Sequence, residues 1–332
     1  MQITEDIDKL VSNPEISILC ITFNQVEYVK RCLEGFLAQR IDVPIEILVN
    51  DDCSTDGTTD ILLKYQREHP KLFRIVTHDE NQYSRGKSPM GEFLVPLARG
   101  SYIAMCEGDD FWTDPTKLKV QLDFMESHPS YACCVHANEH VRAESGAHMA
   151  TIRYASHDCE VSIDDITSRS QCYATNSMFV RSSAMRAYRD SQFFTLRADG
   201  DHKMLLYFGL VAGGIYYLDR VMSAYRMLSK SSVNRKLLLS GNLEENARRK
   251  RDQRISLLKF ADSFTEGEYH AQIAHGIDSM EYGFARDARD LQVIRKRWPG
   301  RLRKEGLLAH MDLYLYTYCR PLHRLALRMY MR

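Results

Sequence analysis

The sequence predicts an α/β protein with a mostly parallel central sheet flanked by helices and a helical extension at its C-terminal end. Three observations carry this expectation. Over the first 140 residues, short apolar runs alternate with segments of helical spacing, the order that builds a parallel sheet covered on both faces. Of the 332 residues, 44% are hydrophobic and 27% charged, which suits a folded globular chain and excludes a disordered or fibrous one. Charge is unevenly placed: residues 1–234 carry 24 basic and 32 acidic side chains, and residues 235–332 carry 20 and 12. At roughly 150 residues per domain, this places a boundary at 235, between a 1–235 domain and a basic helical region at 236–332.

The elements follow in order. Ile16–Ile21 reads as a strand and Val26–Gln39 as a helix, with Val26, Val29, Cys32, Leu33, Phe36 and Leu37 on one side. Ile45–Val49 is a strand, Thr58–Glu68 a helix, and Leu72–Val76 a strand. Met90–Ala98 is helical, Tyr102–Met105 a strand, and Pro115–Ser127 a helix with proline in its first turn. Tyr131–Val135 and Tyr173–Val180 read as strands and Asp201–Val211 as a helix. Ile215–Leu218 and Val221–Tyr225 read as two short strands. Helical spacing resumes near Leu237 and breaks at Trp298-Pro299-Gly300.

Ligands of parallel α/β sheets sit beyond the carboxyl ends of the strands. The segments there are Thr22-Phe23-Asn24, Asp51-Asp52 and Glu107-Gly108-Asp109-Asp110. The last places three carboxylates within four residues. A hard divalent cation offsets such charge, because Mg²⁺ and Mn²⁺ take oxygen ligands and often hold only one or two protein carboxylates together with phosphates. An acidic turn before the next helix reads equally as a helix cap, although Asp114 suits that role. Asp51-Asp52 leads into Cys53-Ser54-Thr55-Asp56-Gly57, where turn and capping chemistry competes with ligand binding.

Taken together, Ile16–Asn24 (ISILCITFN), Glu46–Gly57 (EILVNDDCSTDG) and Gly100–Asp114 (GSYIAMCEGDDFWTD) resemble the family 2 glycosyltransferases. These are inverting enzymes of the GT-A, Rossmann-like fold. Asp79–Gly86 and Lys117–Phe124 fit the same pattern. The resemblance covers residues 14–230 and is strongest over 14–135. It is nearest to the non-processive bacterial enzymes of O-antigen, capsule and other surface polysaccharides. It implies a nucleotide-binding half at 14–135 and an acceptor half at 136–235.

Carried over by position, the resemblance implies that Thr22, Phe23 and Asn24 lie along the nucleotide. Asp52 accepts from the base, usually uracil, with Asp51 beside it. Glu107-Gly108-Asp109 stands where the family has Asp-x-Asp. Asp109 binds Mn²⁺ or Mg²⁺, Glu107 reaches the ribose or the metal shell, and Asp110 lies near the donor sugar. Glu107 departs from the usual aspartate. Arg85 stands near the donor diphosphate or is a solvated loop residue. An inverting transfer needs a carboxylate to take the acceptor hydroxyl proton. Ala198-Asp199-Gly200-Asp201-His202 offers Asp201 as that base, with Asp199 as the alternative and helix capping as the competing role. Ala224-Tyr225-Arg226 also fits a family pattern.

The expected reaction moves one sugar from a nucleotide diphosphosugar to a glycan or a polyprenyl-diphosphate-linked acceptor. The Gln-x-x-Arg-Trp signature of processive synthases is missing at Arg295-Lys296-Arg297-Trp298. A nucleotidyltransferase is a weaker reading, because Ile21–Gln25 contains no glycine. A non-catalytic nucleotide-sugar-binding scaffold is the remaining alternative.

Nine cysteines, none in a CxxC pair, point to a reducing compartment without a disulfide framework. The polar, acidic start MQITEDIDKL is unlike a signal peptide, and no run approaches ~20 apolar residues. The expected location is cytoplasmic, at most peripheral on the inner membrane's cytoplasmic face. Residues 301–332 carry seven Arg/Lys against two acids, among leucines and tyrosines. That composition suits either a membrane interface or packing on protein. No nucleic-acid-binding motif is present.

Overall fold

The structure is a computed structural model that describes residues 1–168, 173–196, 198, 200–227, 229, 243–304 and 307–319. The chain divides into two compact units, Met1–Ile166 with Ser170–Leu243, and Thr167–Arg169 with Glu244–Arg332.

The first unit is an α/β sheet of eleven strands. In chain order its elements are β1 (Gln2–Thr4), β2 (Ile16–Thr22), α1 (Val29–Leu37), β3 (Ile45–Asp51), α2 (Thr58–Glu68), β4 (Phe73–Thr77), β5 (Tyr102–Glu107), β6 (Phe111–Trp112) and α3 (Lys117–Ser127). There follow β7 (Cys133–Arg142), β8 (His148–Ile152), β9 (Cys159–Glu160), α4 (Ile163–Ser168), β10 (Phe179–Arg181), α5 (Ser182–Asp190), α6 (Gln192–Thr195), α7 (Gly200–Leu210) and β11 (Ile215–Met227). The path is β1-β4-β3-β2-β5-β10-β7-β11-β6, with β8 on β7 and β9 on β11. Its first half is parallel from β4 to β5. β1 joins the edge antiparallel to β4, and further antiparallel pairings enter with β10, which lies between β5 and β7, so the sheet as a whole is mixed.

Strand alternation sorts the side chains. Ile16, Ile18 and Cys20 of β2, Ile47 and Val49 of β3, and Ala104 and Cys106 of β5 face one core with Phe36, Leu62, Leu118 and Met125 of the three helices. The intervening residues Leu19, Leu48 and Met105 are also fully buried, so both faces are covered.

Several elements differ from expectation for identifiable reasons. The strands run one or two residues further, so that polar Thr22, Asp51 and Glu107 end them: Thr22 pairs with Asp51, and Ile21 with Glu107. Helix α1 begins at Val29 because Val26 is exposed, with its N–H on the Asp56 carboxylate. The 90–98 helix is a wide π-turn over Pro89–Leu94 followed by a 3₁₀ turn over Val95–Leu97, where Pro96 cannot donate. Pro115 precedes α3 rather than opening it, and Asp114 accepts from the Thr116 N–H at 2.8 Å. The strand expected at 173–180 is a 3₁₀ turn, Thr175–Ser177, followed by the short β10. The two strands expected at 215–225 are one, β11, whose register shifts between Leu218 and Ser223.

In the second unit the helices are α8 (Leu243–Phe264), α9 (His270–Asp287), α10 (Leu291–Arg297), α11 (Pro299–Lys304) and α12 (Leu307–Tyr318). Tyr282, Ala285, Leu291, Ile294, Trp298 and Leu313 form its core. Trp298 separates two helices and donates its Nε1–H to Asp278 at 2.6 Å. Met311, Tyr314 and Tyr318 are exposed. Leu322, Leu325, Leu327, Met329 and Tyr330 lie outside the described residues.

Candidate active site

The site lies beyond the carboxyl ends of β2, β3 and β5. Two loops there are bonded to each other. The β2–α1 loop carries Asn24 in the left-handed region at φ 52°, and the β3–α2 loop carries Cys53 at φ 65°. The Asn24 N–H donates to Ser54 Oγ, and the Thr55 N–H donates to Asn24 Oδ1, each at 2.8 Å. The Gln25 N–H donates to Thr58 Oγ1 at 2.8 Å. Thr22, Phe23 and Asn24 are thereby held along one rigid wall.

Asp51 and Asp52 separate in role. The Asp51 carboxylate accepts from the hydroxyls of Thr22 at 3.1 Å and of Ser54 and Thr59 at 2.5 Å each. It is a staple inside the loop pair. The Asp52 carboxylate faces the segment after β4, where it accepts from the backbone N–H of Gln82 at 2.6 Å and of Tyr83 at 3.0 Å. Arg85 ends that 3₁₀ turn, is exposed, and pairs with Glu80. At that position it is a surface ion pair.

The acidic turn follows β5. Burial, then the charges of Asp109 and Asp201, push the Glu107 carboxyl up to about 8. Asp109 is also raised, mainly by burial, against the opposing hydrogen bond from Ser229 Oγ at 2.5 Å and the attraction of Arg226. Asp110 is raised well above the usual carboxylate range, by burial and then by its acidic neighbours. It is 1% exposed and accepts from the Arg226 N–H and Asn176 Nδ2, each at 2.9 Å. Asp110 therefore fastens the turn from beneath.

Asp201 stands in the first turn of α7. Its charge acts on Glu107 and also lifts the Tyr188 hydroxyl, after burial. The acid from the second half of the fold is thus within electrostatic reach of Glu107. Asp199, the alternative base, lies outside the described residues. Among the described residues, no three Asp, Glu, His or Cys side chains close into a full metal cage. One or two buried carboxylates beside a phosphate-bearing ligand are nevertheless what Mg²⁺ or Mn²⁺ uses, and Asp109 with Glu107 supplies that donor set.

Two residues at the site, Gln25 and Asn176, escape sequence reasoning. Gly108 leaves room for a neighbour: a Cβ there would lie 2.5 Å from both Gln25 Oε1 and Thr22 Cγ2. Gln25 packs against the turn, and its buried Oε1 has no partner. Asn176 binds Asp110, accepts from Ser223 Oγ at 2.6 Å, and donates to the Ala224 carbonyl at 3.1 Å. An amide in an apolar run was the signal at Asn176. No sequence pattern marks Gln25. The Arg226 N–H on Asp110 is a backbone contact, invisible in side-chain types.

The glycosyl transferase family 2 model matches residues 17–193. The uncharacterized protein Rv1520 of Mycobacterium tuberculosis is 37% identical over 166 residues, which span 50% of this chain and 46% of that protein. WfaP of Escherichia coli, a UDP-Glc:alpha-D-GlcNAc-diphosphoundecaprenol beta-1,3-glucosyltransferase, is 34% identical over 112 residues, 34% of this chain and 41% of that one. The match thus spans under half the length of these relatives. Residues 1–349 of Staphylococcus aureus TarS superpose with a TM-score of 0.54 at 17% identity, covering 83% of this chain and 92% of that one. At that identity the likeness is one of fold.

Proposed function

The chain belongs to glycosyl transferase family 2, and from that premise we propose that it transfers one sugar, with inversion, from a nucleotide diphosphosugar to a glycan or polyprenyl-diphosphate-linked acceptor in bacterial surface-polysaccharide synthesis. The observation that carries the proposal is that the charge of Asp201, in the first turn of α7, acts on Glu107, which ends β5 beside Asp109. Donor chemistry and acceptor chemistry come from different halves of such a fold, and here their acids sense one another.

A UDP-sugar is the donor that the names of the relatives favour. WfaP is described as using UDP-Glc with a diphosphoundecaprenol-linked acceptor, and TarS has been solved with UDP-GlcNAc. In this reading Thr22, Phe23 and Asn24 line the nucleotide, and Asp52 accepts from the base. Asp109, with Glu107, holds Mn²⁺ or Mg²⁺. Bound there, the ion would offset the charge of the departing diphosphate. Asp201 takes the proton of the acceptor hydroxyl. No helix among the described residues is long and apolar enough to cross a membrane.

The test is titration of the protein with UDP and with GDP, each with and without Mn²⁺, together with transfer assays. Metal-dependent UDP binding lost in Asp109→Ala is expected. Asp201→Asn is expected to keep donor binding and lose transfer by about a thousandfold. Near-normal turnover in Asp201→Asn would remove it as the base.

A further inference from the structure

Arg226 is 6% exposed, yet its guanidinium makes no hydrogen bond and no ion pair with any described residue, and its Nε is fully buried without a partner. A guanidinium carries five N–H donors, and a buried one is ordinarily matched to acceptors. Its nearest acids are already engaged: Asp110 by Asn176 and by the backbone N–H of Arg226 itself, and Asp109 by Ser229. The Arg226 Cζ stands 4.7 Å from the ring centre of Phe111 and 5.1 Å from that of Tyr28, which hold the fork in place.

A second cation shares the Phe111 ring. The Arg31 Cζ lies 3.7 Å from the same centroid. Arg31 is exposed, and its guanidinium also makes no hydrogen bond or ion pair with the described residues. At Gly146, in the β7–β8 turn with φ 68°, a Cβ would come within 3.3 Å of Arg31 Nη1. Two like charges at one ring repel. Asp110 and Asp109 attract Arg226, but both are already hydrogen-bonded, and Arg31 pairs with no described acid, so an anion between the two guanidinium groups would offset the repulsion that remains.

We propose that Arg226 and Arg31 form a phosphate-binding subsite against Phe111, beside the acidic turn, with Arg31 at its solvent-facing mouth. A phosphate's oxygens match the two planar forks. The subsite stands on this geometry alone. Its assignment to the donor diphosphate or to a phosphate on the acceptor rests on the transferase reading.

The test is calorimetry on the whole chain with divalent ions chelated, so that no metal bridges the ligand. The probes are inorganic pyrophosphate, uridine, UDP and geranyl diphosphate. Arg31→Ala, an exposed change that spares the fold, is expected to weaken pyrophosphate by at least about tenfold while leaving uridine unchanged. Arg226→Lys keeps the charge but loses the fork, and is expected to weaken it as well. Beside the loss for pyrophosphate, a loss for UDP but not for geranyl diphosphate assigns the subsite to the donor, and a loss for geranyl diphosphate but not for UDP assigns it to the acceptor. Pyrophosphate binding weakened by Arg31→Ala in a protein that binds neither UDP nor uridine even after Mn²⁺ is restored would support the subsite and refute the transferase reading. Unchanged affinity for all three diphosphates in both folded variants would overturn the subsite.

Discussion

Asn176 donates its Nδ2–H to the buried Asp110 carboxylate at 2.9 Å across 66 positions of sequence. That bond joins the acidic turn after β5 to the second half of the sheet. The same Nδ2 reaches the Ala224 carbonyl, and Oδ1 accepts from Ser223 Oγ. The Asn176 carbonyl itself accepts from Trp112 Nε1 at 3.2 Å. One residue therefore ties the acidic turn, β6 and β11 together. Asn176→Ala leaves a buried carboxylate oxygen, a hydroxyl and a carbonyl short of partners, which is expected to cost about 2–4 kcal/mol. Asn176→Asp sets a second carboxyl against Asp110 and is expected to be worse. Urea unfolding with matched m-values checks both.

Gly108 makes a narrower demand. Its backbone is ordinary, but the space where a Cβ would stand holds Gln25 Oε1 and Thr22 Cγ2. Gly108→Ala is expected to displace the turn rather than unfold the sheet, because both neighbours are fixed by the bonded loop pair. The expected result is a loss of metal-dependent nucleotide affinity of at least about tenfold, with a change in stability near 1 kcal/mol. If nucleotide affinity were unchanged in Gly108→Ala, the close packing of Gln25 and Thr22 against the turn would have no bearing on binding.

The first half of the fold was legible because β2 to β5 are largely apolar runs that end in polar residues, whereas β1, only three residues long, has no such pattern. Thr58–Glu68 is predicted and observed with the same ends. The second half was less legible. β10 is three residues long, and β6 is two. Such strands exist because neighbouring strands offer them a ladder, not because of their own pattern. Asp110 shows the same limit within the site. Sequence position sets it toward the donor sugar, whereas burial and two protein donors turn its carboxylate inward. Whether a carboxylate faces ligand or core depends on partners that lie 66 and 116 positions away.

The opposite end of the sheet holds a second buried charge cluster. Glu46 is 0% exposed. Its Oε1 accepts from Ser17 Oγ and the Arg99 N–H at 2.7 Å, and its Oε2 from Arg99 Nε at 2.8 Å. Arg74 lies at 3.5 Å and also pairs with Glu5 at 2.6 Å. Removing one partner of a buried ion cluster strands the rest, so Glu46→Gln is expected to cost about 3–5 kcal/mol. The cluster sits near the amino ends of β2 and β3, away from the acidic turn. Nucleotide affinity of the folded variant should therefore match wild type, as titration below its unfolding temperature would show.

His136 ties stability to pH. It is 0% exposed on β7, its Nδ1–H donates to the Ala137 carbonyl at 2.8 Å, and its Nε2 has no partner. Burial first, and then the nearby Lys117 cation, push the imidazole down to about 3. Lys117 is itself buried against Trp112 and bonded to Gln121 at 2.7 Å. In the unfolded chain the imidazole binds its proton near the ordinary histidine value, so between that value and about 3 the unfolded state holds more protons than the folded one. Stability contributed by neutral His136 is thus complete above about pH 6.5 and is lost as pH falls through that window. From pH 6.5 to 5 the loss is about 2 kcal/mol at most. Other groups titrate there too, and Glu107, raised to about 8, works in the opposite sense. The difference between wild type and His136→Gln isolates the imidazole, because glutamine keeps an N–H donor and cannot charge. The gap in unfolding free energy between the two proteins should shift toward the glutamine variant as pH falls from 7 to 5. A gap that stayed constant across that range would mean that His136 charges as readily folded as unfolded.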